Sequence, residues 1–326
     1  MAKPTTQFYT NEKIQHQAEI FSNRLQNRFA HFGKKFRKQG VECFRLYDWD
    51  IPEVRAVVDW YAGHAVIAEY VREQTGLDWL PKMADAAAAA LGIPREQMHM
   101  KERRTNTKEG ARYSRMNTTN QRIEVKERDL RFWVNLDDFL DTGLYSDHRD
   151  TRVLVRNLAK GKDFLNLYAY TGAFTCAAAA GGAKTTTMVD RSATYLAWAK
   201  ENLQLNNLWG DGIAHELVQS DVDKFLAQTQ RQGKKFTLGF IDPPSFFQDK
   251  ERGISFDINK DHPELLRNVL KIMAPGSTLF FSTNHQRFEP QLDKLPVKDL
   301  KELTPKTIPE DYRNKTIHRC WQMTAC

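Results

Sequence analysis

Cysteine is scarce in this chain: four residues in 326, at Cys43, Cys176, Cys320 and Cys326. None forms a CxxC pair and no His/Cys cluster has zinc spacing, so no metal site is expected. Scattered thiols of this kind read as reduced cysteines, which gives a cytoplasmic location as the expectation. No run of 18 apolar residues occurs, which argues against a helical membrane span. The opening MAKPTTQFYTNEK lacks the apolar stretch of a secretory signal. A GxGxxG turn is also missing, which weakens a dinucleotide-pyrophosphate reading. There is no internal repeat, and the alanine run in Asp85–Leu91 (DAAAAAL) reads as close helix packing.

Charge, by contrast, is plentiful and uneven. The net charge is +7. Residues 1–40 carry eight Lys/Arg against two Asp/Glu, and residues 101–131 carry ten against five, leaving the remainder net acidic. A basic surface ahead of an acidic body suits a polyanionic partner such as RNA, although charge alone fits a solvated face equally well.

Over 12–38, Ile14, Ile20, Phe21, Leu25, Phe29, Phe32 and Phe36 recur at helical spacing, and Gly40 ends the pattern. Arg24 and Arg28 lie on its other face, where they are expected to meet phosphates. Phe44–Tyr47 and Ala65–Tyr70 read as strands of a small α+β domain. His99–Arg104 and Gln121–Val125 flank the basic stretch TNTKEGARYSRMNTTN, which suggests a long hairpin. Arg103, Arg104, Lys108, Arg112 and Arg115 would form its basic finger, with Tyr113 available to stack on a base. From Lys162 strand-like and helix-like segments alternate, which argues for parallel βαβ units in a doubly wound sheet. The tail, 299–304 and 316–324, reads as two strands closing the sheet as an antiparallel hairpin. The expected organisation is an N-terminal basic helix (1–40), a small α+β RNA-binding domain (41–135) and an α/β domain (136–326).

Ligands of open α/β sheets bind beyond the carboxyl ends of the strands. Asp163–Gly172 (DFLNLYAYTG) supplies the first such end, with one glycine for a tight turn. Backbone around Asn166, Tyr168, Tyr170 and Gly172 would face the methionine part of S-adenosylmethionine (SAM). Asp190, with Arg191 and Ser192, ends the second strand and would accept from ribose hydroxyls. Asp221, after the third, would reach the adenine amino group; both acids also read as helix N-caps. His215 and His285 read as packing or surface residues. Asp242–Phe246 (DPPSF) ends the fourth strand, because prolines cannot continue a ladder. Pro243, Pro244 and Ser245 make a rigid turn, and Phe246 and Phe247 offer faces for a flipped base. Asp242 would orient that base.

The segments YDWDIPEVRAVVDWY (47–61), VNLDDFLDTGLYSDHRDTR (134–152), KDFLNLYAYTGAFT (162–175) and FIDPPSF (240–246) resemble the K half of the bifunctional 23S rRNA methyltransferase K/L. The resemblance runs from about Glu42 to the end of the chain. It implies a class I SAM-dependent methyltransferase fold, Rossmann-like and doubly wound, behind a small β-rich domain. It also implies methylation of N7 of a guanosine in helix 74 of 23S rRNA. Carried over by motif, Tyr145 would cover SAM, and Arg149 would grip its carboxylate. The expected partners are 23S rRNA and a separate methyltransferase, since the family's protein carries a second methyltransferase half ahead of this region. Three alternatives stay open: a C5-cytosine enzyme, which needs a cysteine nucleophile, an exocyclic-amine enzyme, and an inactive RNA-binding module.

Overall fold

The computed structural model describes residues 9–72, 75–103, 115–210, 212–249 and 253–326. The chain divides into two compact units, one of Met1–Asp129, Val134–Thr142 and Asp311–Arg313, the other of Leu130–Trp133, Gly143–Glu310 and Asn314–Cys326.

In the first unit Thr10 caps helix α1 (Asn11–Lys38), its hydroxyl accepting from the Lys13 N–H at 3.3 Å. Ile14, Phe21, Leu25, Phe32 and Phe36 are buried on one stripe of that helix. They share a core with β1 (Cys43–Asp48), β2 (Ala56–Tyr61), β3 (His64–Tyr70) and α2 (Trp79–Leu91), so α1 is part of this unit rather than a separate segment. Ala87 and Ala88 of the alanine run, with Ala84 just before it, are buried in the same core, where small side chains allow α2 to approach closely. The helix ends at Gly92, whose φ of 66° is left-handed. A 3-10 turn at Arg95–Gln97 leads into β4 (Met98–Arg103). The sheet order is β1-β2-β3-β4, with β3 and β4 parallel. This corrects the expected hairpin: β4 bonds β3, whereas β5 (Ile123–Glu127) lies outside that sheet. A parallel β3–β4 pair needs a crossover, and α2 supplies it.

The second unit is a seven-stranded sheet flanked by helices. After Leu130–Trp133 of β6 (Leu130–Val134), its elements are α3 (Arg149–Leu158), β7 (Asp163–Leu167), α4 (Ala173–Ala180), β8 (Thr185–Asp190), α5 (Ala193–Leu205), β9 (Ala214–Gln219), α6 (Val222–Arg231) and β10 (Phe236–Ile241). A short hairpin, β11 (Phe246–Asp249) and β12 (Ile254–Asp257), precedes α7 (Ile258–Lys271), β13 (Met273–Thr283), β14 (Val297–Glu302), α8 (Thr304–Thr307) and β15 (Arg319–Ala325). The sheet order is β14-β15-β13-β10-β7-β8-β9, with β15 alone running antiparallel to the rest. This is the class I methyltransferase topology, α/β with an antiparallel hairpin at one edge. Strand alternation sends Leu165, Ile241 and Phe281 to one face and Phe164, Phe240 and Phe280 to the other. The order reverses between β7 and β10, which makes their carboxyl ends the switch point. No helix among the described residues is long and apolar enough to cross a membrane.

Candidate active site

After β7 the backbone turns through left-handed φ values at Tyr168 (56°), Tyr170 (49°) and Gly172 (74°). Two tyrosines in this region need outside support, because a left-handed L-residue is strained. Asp190 provides it. Its Oδ2 accepts from the Tyr170 N–H and its Oδ1 from the Ser192 N–H, each at 2.9 Å. Burial pushes the Asp190 carboxyl up, and backbone hydrogen bonds from Ser192 and Tyr170 pull it part of the way back. Each carboxylate oxygen keeps lone-pair capacity for a ligand hydroxyl. Gly172 is required twice over: for its φ, and because a Cβ there would lie 2.6 Å from the Ala199 Cβ of α5.

A second segment is tied to this turn. The Thr171 hydroxyl donates to the Gly143 carbonyl at 2.5 Å, and the Asn202 amide donates to the Thr171 carbonyl at 2.9 Å. Gly143 faces Trp198, and a Cβ there would come within 2.4 Å of the indole ring. The tyrosines that follow form a wall: the rings of Tyr145 and Tyr170 are 5.2 Å apart, and Tyr195 meets Tyr170 edge-on at 4.6 Å. Arg149, at the first position of α3, is buried in the same unit. Asn166 is buried too, and its amide donates to the Thr175 hydroxyl at 3.0 Å. Its side chain thus locks β7 to α4. Asp221 caps α6, accepting from the Asp223 N–H at 3.0 Å.

The expected acceptor side falls at the end of β10. After Asp242, Pro243 and Pro244, the Ser245 hydroxyl donates to Asn284 Oδ1 at 2.9 Å, and the Ser245 carbonyl accepts from the Ile258 N–H at 3.0 Å. The chain then enters the β11–β12 hairpin, which the sequence pattern did not reveal. Phe246 is 41% exposed. The Arg191 guanidinium lies 4.2 Å from the centre of the Phe247 ring, which joins this hairpin to the segment after β8.

Sequence reasoning missed three residues here: Asp147, His148 and His318. His148 Nε2 is 3.7 Å from Asp242 Oδ2. Its ring stacks on His318 at 4.0 Å, 16° from parallel. His318 Nδ1 donates to Asp147 Oδ2 at 2.9 Å, and its Nε2 is 3.1 Å from the Thr307 hydroxyl. Possible ligand atoms of the three residues lie within 4.8 Å of one another. Lone pairs in two stacked ring planes do not converge on one point, so the grouping is a hydrogen-bonded stack rather than a metal cage. The DHR triplet was a visible signal for His148, but Asp147 and His318 are 171 positions apart. Only the fold could join them. His215 is a packing residue as expected, stacked on Trp209 and 2.7 Å from the Thr186 hydroxyl.

The residues assigned to RNA lie in the first unit or outside the described residues. Arg28 is a correction. Its Nε donates to the Leu46 carbonyl at 2.7 Å and its Nη2 to the Asp311 carbonyl at 2.6 Å, with the guanidinium over Phe32. Burial lowers its pKa, and two of its three nitrogens donate inside the protein rather than to phosphates. Arg24 is half exposed and pairs with Asp50 at 2.5 Å. Arg103 ends β4 with its Nε buried. Arg104, Lys108, Arg112 and Tyr113 lie outside the described residues. Arg115 is held by Asp138 at 2.8 Å rather than free for RNA. Asp138, itself fully buried, also accepts from the Thr119 N–H and hydroxyl, the Asn120 N–H and the Asn135 amide. Burial would raise that carboxyl, but hydrogen bonds from Thr119, Arg115 and Asn120 outweigh it and hold the pKa well below the usual carboxylate range.

The donor set at the tips of β7 and β8 suits a nucleoside: a carboxylate acceptor at Asp190 and an aromatic wall at Tyr145 and Tyr170. Comparison with known proteins agrees. The model of the S-adenosylmethionine-dependent methyltransferase family matches residues 62–299. Among solved structures, SMU.776 in complex with SAH superposes with a TM-score of 0.74 at 23% identity, over 94% of this chain and 81% of that one. A SAM-dependent methyltransferase from Agrobacterium tumefaciens gives 0.62 at 17% identity, over 88% and 91%. The protein aTrm5, solved with tRNALeu, gives 0.53 at 13% identity, over 79% and 68%. With its cofactor-side geometry, its strand order and a family match across most of its length, this chain belongs to the S-adenosylmethionine-dependent methyltransferases.

Proposed function

We propose that the chain methylates N7 of a guanosine in 23S rRNA. The observation that carries this reading is the turn at the end of β10. It combines a carboxylate, two prolines and an exposed aromatic ring, with no reactive thiol beside it. SAM, when bound, supplies a methyl group carried on a sulfonium. Guanine N7 presents an in-plane lone pair and needs no deprotonation. The protein's task is therefore alignment of the acceptor.

Phe246 offers a face for the base to stack on, worth about 1–3 kcal/mol. Asp242 accepts from a guanine N–H. Those N–H groups become stronger donors as N7 alkylation makes the ring cationic, so the contact strengthens along the reaction. The Pro-Pro turn and the Ser245–Asn284 contact hold the carboxylate and the ring in place. A C5-cytosine mechanism would need a thiolate. Cys176 and Cys320 are fully buried, and burial raises both thiols, Cys176 to about 12. Cys326 follows β15 at the end of the sheet opposite the turn. RNA as the acceptor is supported by the resemblance to the rRNA enzyme and by the tRNA complex of aTrm5, a protein of similar fold.

The test is to incubate the protein with SAM and unmodified 23S rRNA, then digest the RNA and identify the product by mass spectrometry with m7G-specific strand scission. 7-Methylguanosine at one position is expected. A product methylated at carbon 5 of cytosine or at an exocyclic amine would replace this reading. The Asp242→Asn variant is expected to retain partial activity, because an amide oxygen still accepts from the base.

A further inference from the structure

We propose that His148 is a positioning residue for methyl transfer: its Nε2–H aims the Asp242 carboxylate at the acceptor base. This rests on the reading of Asp242 given above. The geometry begins with the tautomer. His148 Nδ1 lies 3.4 Å from the Thr151 hydroxyl, one helical turn on. With the hydroxyl as the donor to Nδ1, the ring proton sits on Nε2, the tautomer this proposal requires. Nε2 faces two carboxylates, Asp242 at 3.7 Å and Asp147 at 3.9 Å. Asp242 is the nearer of the two, and Asp147 Oδ2 accepts from His318 at 2.9 Å.

The imidazole is fixed from every side. His318 stacks on one face, itself tied by Asp147 and Thr307. Phe174 and Phe240 meet the ring edge-on at 5.6 and 6.0 Å. Its side chain is 4% exposed. Among the charged groups facing it, Asp147 favours the cation, whereas His318 and Arg152 oppose it. Burial outweighs these and keeps the ring neutral. A neutral donor orients Asp242 without cancelling the charge that the base needs. The 3.7 Å separation is long for a hydrogen bond, as contacts in empty active sites often are, and it closes when the base loads the carboxylate.

Two substitutions separate donor from packing. His148→Phe keeps an aromatic ring on His318 and removes the donor. His148→Gln keeps an N–H and removes the ring. On the nucleotide that the wild type methylates, at saturating SAM, His148→Phe should lower kcat by about 10- to 100-fold, the worth of a hydrogen bond to a charged group. His148→Gln should recover most of that loss, with KM for SAM unchanged in both. A packing role would reverse the order, with Phe active and Gln impaired, and would overturn the proposal.

A second measurement needs no substrate and no folded His148 variant. Long-range imidazole 15N–1H spectra of the wild type should show His148 protonated on Nε2 and shifted by Asp242→Asn. An Nδ1-protonated ring, or one indifferent to that substitution, refutes the proposal. Should the mapped product not be 7-methylguanosine, the assignment of N7 fails, while the Phe–Gln order and the spectra still decide the role of His148.

Discussion

Replacement of Gly172 by alanine tests whether one backbone turn both folds the second unit and shapes its cofactor side. Two costs are readable from the geometry. The first is conformational: φ is 74°, and the left-handed region costs an L-residue about 1–2 kcal/mol. The second is steric: the new Cβ would sit 2.6 Å from the Ala199 Cβ and 3.2 Å from its Cα, with Met188 Sδ at 3.3 Å. Ala199 is buried on α5 and cannot swing aside, so the helix or the turn must shift, at about 1–3 kcal/mol. Together they amount to about 2–5 kcal/mol. Gly161 isolates the first cost, because its φ is 70° and nothing lies within 4 Å of its would-be Cβ. Urea unfolding should therefore show Gly161→Ala losing about 1–2 kcal/mol and Gly172→Ala clearly more. Calorimetry should also show SAH affinity falling only in Gly172→Ala, since that shift moves the Tyr170 N–H held by Asp190. Equal losses for the two variants, or undiminished SAH binding by Gly172→Ala, would refute the reasoning.

Asp190→Ala should weaken SAH binding about 10- to 100-fold by calorimetry, the range for a lost charged hydrogen-bond acceptor. In the wild type that affinity should fall on acidification above the usual carboxylate range, because burial raises the Asp190 carboxyl and only its ionised form is the strong acceptor; a flat profile through that range would remove Asp190 from the ribose contact. Asp138→Ala should destabilise the first unit by about 3 kcal/mol or more in urea titrations, since several buried donors lose their acceptor together. The Asp138 carboxyl is depressed in the folded state, so the stability it adds should be complete above its unfolded value of about 4 and decline as pH falls below it; an unfolding midpoint unchanged between wild type and variant at neutral pH would contradict this role.

The parallel sheet of the second unit was legible because strand-like and helix-like segments alternate along it, with β8 ending in an acid and β10 running into an acid and two prolines. Asp221 announces a helix start directly after a strand and caps α6 as expected, whereas α5 is capped by Ser192 rather than by Asp190. Asp190 and Asp242 stood out for the same local reason: each is an acid at the carboxyl end of a strand in an open α/β sheet. Arg28 shows where such reading stops. Its spacing on α1 matches a solvated basic face, yet the carbonyls that capture it come from Leu46 and Asp311, the latter 283 positions away. The expected hairpin failed for a related reason. The pattern shows that β4 is a strand but not which strand it pairs with, and the choice of β3 depends on α2 crossing over.

What the sequence determined alone was therefore the set of elements, their period and the chemistry at each strand tip, because these depend on neighbours within a few residues. Tertiary structure alone decided the support beneath that chemistry. His148 stacks on His318, Asp147 reaches across 171 positions to bond it, and Arg191 covers Phe247. Contacts between residues so far apart are made only when strand order is set. Strand order follows from burying both faces of the whole sheet at once, a global constraint that no local window of residues contains.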